Sequence, residues 1–275
     1  MNTALASPGP LIREWRTRRR MSQLDLAMEA EISQRHLSFV ESGRAKPSRE
    51  MVLHLAERLG LPLRETNRLL LAAGYAPGFD ETSLDKPAMA PALAAVETVL
   101  RAHEPNPAVA VDRHWNLVRA NAALAPFLSG VADPALLAPP MNVLRLSLHP
   151  QGVAPLIVNF AEWRDHIVER LRRLNQAVAD PVIVELEREL RGYPVPKRVG
   201  PPTPARDYSP IAVPLRLRMN DAVLSFISTI TVFGTPLDVT LSELAIESFF
   251  PADQATAEAM RDVMRQAGAP AFPPP

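Results

Sequence analysis

The sequence has no cysteine among its 275 residues, which removes disulfides, zinc–thiolate centres and thiol catalysis together. It has no run of 18 or more apolar residues, so nothing in it reads as a membrane span. The opening MNTALASPGPLIREW lacks the long apolar core of a signal peptide. These absences lead us to expect a soluble, cytoplasmic protein with no membrane partner. Signatures of catalysis are missing as well. His103–Glu104 does not continue into HExxH, no GxSxG occurs, no GxGxxG follows a strand, and SGVADP has no phosphate-loop pattern. None of His114, His149 and His166 stands beside another ligand at metal spacing. The expectation is therefore no enzyme, no metal and no cofactor. Net charge is also absent, with 30 Lys+Arg against 30 Asp+Glu, but the balance hides an asymmetry. Residues 1–75 carry 12 Arg/Lys and 8 Asp/Glu, a net of +4, and the remainder is −4. A basic first quarter on a neutral chain suits a polyanion-binding module joined to something else.

Proline, by contrast, is plentiful: there are 29, most of them after residue 75. That density favours short elements and rigid turns over a long helical bundle. The proline-poor part reads as five short helices over 10–73. Leu11, Ile12 and Trp15 share one helical face. Ser22 caps a second helix carrying Leu24, Ala27 and Met28, and Ser33 caps a third carrying Leu37 and Val40. Ser48 caps a fourth with Val52, Leu55, Ala56 and Leu59, ended by Gly60. Pro62 starts a fifth with Leu69 and Leu70, ended by Gly74.

Residues 74–91 lose periodicity and read as a linker, followed by a helix in ALAAVETVLRAHEP. PAVAVDRHWNLVRANAALAPFL reads as a hairpin turning at Asp112–His114 and feeding a helix capped by Asn121. Residues 156–191 are helical, restarted by Asp180–Pro181, and a proline-rich loop follows over 193–210. IAVPLRLRM, AVLSFISTITVF and DVTLSELAIESFF alternate like strands, with turns at 220–221 and 234–236. The residues PAD at 251–253 cap a last helix, ahead of a short tail. The fold class expected is an all-α five-helix domain followed by an α+β domain with an antiparallel sheet.

The stretch SQRHLSFVESGRAKPS, 33–48, sets long polar side chains at the first turn of a short helix whose other face must be buried. That is what the second helix of a helix-turn-helix unit needs when it enters the major groove N-terminus first. Gln34 suits a bidentate bond to adenine and Arg35 one to guanine, while Ser38 and Phe39 remain on the outer face. Gln23, Arg44 and Lys46 suit phosphates, and Ser33 starts the helix whose free amides favour anions. SQLDLAMEAEISQRHLSFVESGRAKPS resembles the core of the XRE/Cro–phage repressor family of helix-turn-helix domains. The resemblance implies a double-stranded DNA operator as partner and a pairing of Arg16 with Glu41. One departure is Glu31, where the family's turn usually carries glycine; a left-handed conformation there would cost about 1 kcal/mol.

Residues 105–265, including NVLRLSLHPQGVAP, NFAEWRDHIVERLRRL and TVFGTPLDVTLSELAIESFFPAD, resemble regulators with an MmyB-like ligand-binding domain. The resemblance implies a PAS-like fold that senses a small molecule, a fatty acid being the known type of ligand. The domains expected are 1–75 (helix-turn-helix), 76–104 (linker and connecting helix), 105–268 (ligand-binding) and 269–275 (tail). In AVLSFISTITVF one face carries Leu224, Phe226, Ser228, Ile230 and Val232, and the other Val223, Ser225, Ile227, Thr229, Thr231 and Phe233. The hydroxyl-bearing face either holds an amphipathic ligand or faces water. Trp163 and Asn159 offer an aromatic wall and an amide, or are core. Arg145 and Arg173 are candidate carboxylate anchors, and Arg170, Arg172 and Arg173 form a basic cluster. The leading expectation is a homodimeric, ligand-responsive transcription regulator. The alternatives are a ligand-free dimerisation or partner-binding module, or an enzyme fused to a DNA-binding head.

Overall fold

The computed structural model describes residues 7–196, 213–219, 222–234 and 236–267. The turn expected at 220–221, the loop from 197 onward and the tail 269–275 lie outside the described residues. The described chain falls into two compact units, 7–82 with 236–242, and 83–234 with 243–267.

The first unit contains α1 (Pro8–Arg18), α2 (Gln23–Glu29), α3 (Gln34–Glu41), α4 (Arg49–Arg58) and α5 (Leu63–Ala72). The three serines cap as expected. Ser22 Oγ accepts from Asp25 N at 3.1 Å while the Asp25 carboxylate accepts from Ser22 N at 2.7 Å, a reciprocal capping box. Ser33 Oγ accepts from His36 N at 3.1 Å, and Ser48 Oγ from Met51 N at 3.2 Å. Gly60 and Gly74 follow α4 and α5 with φ of 58° and 84°, the left-handed geometry that ends a helix without a Cβ clash. Ile12, Trp15, Leu37, Val40, Val52, Leu55, Leu69 and Leu70 form the interior. Gly9 lets α1 press on α3: a Cβ there would stand 2.4 Å from the Glu41 carbonyl oxygen. The α2 reading needs correction. Ala27 is buried as expected, but Leu24 and Met28 are 50 % and 64 % exposed, and Leu26 and Ala30 are buried in their place. A two-turn helix with apolar residues on two sides has no unique inner face, and the smaller alanines allow the closer approach.

The stretch 236–242 also belongs to this unit. It holds a short helix, α11 (Val239–Ser242), so the strand expected across DVTLSELAIESFF is confined to its second half. Val239 is buried and its amide donates to the Asp80 carbonyl at 2.8 Å. The Asp238 carboxylate accepts from Thr82 N at 3.0 Å and from Thr240 N at 2.8 Å.

The second unit contains α6 (Ala90–Ala102), β1 (Ala108–Val111), β2 (Leu117–Ala120), α7 (Ala125–Leu128), α8 (Val143–Leu148), α9 (Phe160–Val178) and α10 (Pro181–Gly192). It continues with β3 (Leu215–Met219), β4 (Ala222–Val232), β5 (Ala245–Pro251) and α12 (Gln254–Ala267). The five strands form one antiparallel sheet in the order β2-β1-β5-β4-β3. The expected hairpin at 108–120 and the helix restart at Asp180 are both present; Asp180 accepts from Val182 N at 2.9 Å. Asn121 differs from expectation. Its side chain caps no helix but is buried, accepting from Ala108 N and donating to the carbonyls of Leu100 and Asn106. One apolar cluster joins the helices to the sheet, with Phe160, Trp163, Ile167 and Leu171 of α9 meeting Val109, Leu217 and Phe226.

Candidate nucleic-acid interface and ligand cavity

In the first unit α3 divides cleanly. Leu37 and Val40 are buried, whereas Ser33, Gln34 and Arg35 are exposed and Ser38 and Phe39 half-buried. Arg35 and Arg44 each lie over the Phe39 ring, at 5.4 and 5.9 Å from its centroid, so one aromatic holds two guanidinium groups beside the first turn. Lys46 is exposed with its ammonium 5.5 Å from the Tyr75 ring. Glu31 has φ of 51°, the left-handed turn geometry expected between α2 and α3. Behind this surface, Arg16 donates to both oxygens of Glu41, at 2.7 and 3.1 Å. These hydrogen bonds hold the Arg16 guanidinium above its ordinary pKa. The Gln23 side-chain amide donates to Glu41 at 2.7 Å, so Gln23 is held against the same carboxylate.

The second unit contains a partly open cavity of about 100 Å³. Its walls are mostly apolar, with Phe127, Leu146 and Ile167 from the helices and Val109, Leu217 and Phe226 from the sheet. Trp163 lines the cavity and is at the same time part of the apolar core, and its indole N–H donates to Ser147 Oγ at 3.2 Å. The His166 imidazole stacks on Trp163 at 5.4 Å. Burial, and then the Arg170 guanidinium, hold His166 below its ordinary pKa, so it is neutral at pH 7. Two charged residues line the cavity, Arg170 of α9 and Glu247 of β5, joined at 2.7 Å. Nε and Nη2 of Arg170 are buried without a hydrogen-bond partner, a condition that costs about 1–3 kcal/mol for each such donor.

Residues 93–262 match the family described as MmyB-like transcription regulator ligand binding domain, and residues 12–65 match a helix-turn-helix family. The chain belongs to the MmyB-like transcription regulators. It is a DNA-binding regulator with an XRE-type helix-turn-helix at one end and a ligand-binding domain at the other. No curated protein matches the chain.

Several ligand-site expectations for this MmyB-like regulator need correcting. Phe226 lines the cavity, but Ile227, Thr229, Thr231 and Phe233 do not; the strand's alternation turns the hydroxyl-bearing side away from it. Asn159 is occupied in holding the chain, donating to Glu162 and to the Pro214 carbonyl and accepting from Arg216 N. Neither expected anchor reaches the cavity. Arg145 is bound to Glu189 through two nitrogens at 2.9 Å. Arg173 is 76 % exposed and pairs with Glu169. The residue that does reach it, Arg170, stood in the sequence as one of a surface cluster. Trp163, Ile167 and Arg170 fall at i, i+4 and i+7, a single helical face, and that spacing was the available signal.

Proposed function

We propose that this regulator binds a near-palindromic operator as a homodimer, and that its C-terminal domain senses a small amphipathic ligand such as a fatty acid. Gln34 and Arg35 read base edges, Ser38 and Phe39 complete the reading face, and Ser33, Arg44, Lys46 and the start of α2 position the helix on phosphates. The observation that carries the DNA half is the division of α3, with Leu37 and Val40 buried and its polar first turn exposed. The cavity, apolar with one charged pair, supports the ligand half. Ligand and DNA would be linked by different ligand affinities of the operator-fitting and non-fitting dimers.

The test is to sequence the genomic fragments that the purified full chain retains, with and without cellular lipid extract, and to extract the protein for mass spectrometry. The reading expects a shared motif, a change in retention with extract, and a co-purified lipid. A shared motif with no lipid and no change on adding extract would support a ligand-free dimerisation module instead.

A further inference from the structure

The apolar lining of the cavity is broken by Ser147, whose Oγ accepts from Trp163, and by one ion pair. Arg170 Nη1 donates to Glu247 Oε1 at 2.7 Å, and the two side chains are 15 % and 4 % exposed. The guanidinium also lies 4.3 Å from the Trp115 ring centroid. Charge is therefore already balanced at this end, yet two of the guanidinium's nitrogens, which carry three N–H groups between them, have no acceptor. The site lacks hydrogen-bond acceptors and does not lack negative charge.

We propose that Arg170 and Glu247 form the head-group site of the cavity, and that they select an uncharged acceptor. Such heads include an amide, ester or alcohol oxygen, and also a carboxylic acid that enters together with one proton. The inference rests on the ligand-binding reading above and states what that ligand's polar end must be. An ionised carboxylate on Arg170 would share the guanidinium with Glu247, two anions on one cation out of water. Under such conditions one of the pair takes up a proton, and the titration belongs to both.

The neighbouring charges do not relieve this conflict. On α9, burial and then Arg170 hold His166 below its ordinary pKa, and Glu162 and Arg173 are exposed. Across the sheet Glu247 registers with Val109 and Ile230, which carry no titratable group. In the turn bearing Trp115, Asp112 accepts from Asn116, Arg113 pairs with Glu243 and His114 with Asp180.

The test uses the full chain, with octanamide and octanoic acid as probes, titrated calorimetrically between pH 5.5 and 8. Octanamide should bind with an affinity independent of pH. Octanoic acid, ionised across this range, should weaken about tenfold for each pH unit. Glu247→Gln should abolish that slope and raise the acid's affinity at pH 8, and Arg170→Met should weaken both probes. A flat acid profile in the unsubstituted protein, or a slope that survives in Glu247→Gln, would overturn the proposal. The unsubstituted profile decides even if a variant does not fold. If neither probe binds at any pH, the amphipathic-ligand reading itself fails and this inference falls with it.

Discussion

Glu41→Ala is the substitution whose consequence the structure defines most sharply. The Glu41 side chain is 3 % exposed and accepts three hydrogen bonds, two from Arg16 and one from Gln23. Arg16 is itself largely buried, and its Nη1 also donates to the Met21 carbonyl at 2.8 Å. Removing the carboxylate leaves Nε and Nη2 of a desolvated guanidinium and the Gln23 amide without their acceptor, and it cuts the polar tie of α1 and α2 to α3. Breaking a buried pair from one side costs about 3–5 kcal/mol, against about 0–1 for an exposed pair. At 1.4 kcal/mol per decade, amide exchange protection in α1 and α3 should fall by roughly two to three and a half decades. Hydrogen exchange with mass spectrometry on the full chain reads this locally, without unfolding the second unit. The peptides of α9 and β5 serve as the internal control. A loss of less than about tenfold would mean that the Arg16–Glu41–Gln23 group behaves as a surface contact, and the reasoning from its burial would be refuted.

Other outcomes follow from the same structure. Arg35→Ala should relax preference at one base pair in each half-site at a cost of about 1–3 kcal/mol, read by binding to a panel of single-base operator variants. Gly9→Ala should destabilise the first unit by about 1–3 kcal/mol or more, seen in urea titration, because its Cβ would press on the carbonyls of Glu41 and Val40. Acid should weaken the second unit. Burial pushes the Asp180 and Glu189 carboxyls up, but hydrogen bonds from His114 and Val182 N, and from Arg145 and Tyr193, outweigh it and hold both below their usual range. A depressed folded pKa contributes stability that is complete above the unfolded value, about 4, and is lost as pH falls through the folded one. Melting temperature should hold level from neutral pH to about 5 and drop below about 4. A profile without that drop would count against both contacts.

What the sequence disclosed was mostly local. Ser22, Ser33 and Ser48 announce helix starts through bonds spanning three residues, and Leu37 and Val40 face inward because helical spacing leaves them no other choice. The Arg16–Glu41 pair came from family resemblance, since nothing in its 25-residue separation fixes a contact. What stayed hidden was set by distant partners. Arg170 is drawn largely out of water beside Glu247, 77 residues away, and a one-dimensional reading places an arginine in water by default. Both faces of β4 carry apolar residues, so the side facing the cavity is decided by helix packing rather than by alternation. Residues 238–242 alternate like the start of a strand, but the Asp238 carboxylate caps Thr240 N and a helical turn results.

The central claim is that α3 carries Gln34 and Arg35 to base edges in the major groove. Its most direct test is selection of random duplexes by the full chain at physiological salt, repeated with Gln34→Ala/Arg35→Ala. The account predicts one enriched motif with two related half-sites centred about one helical turn apart, 34–36 Å, and loss of its defined positions in the double variant. Recovery of no motif by the folded protein, or the same motif from the double variant, would contradict it.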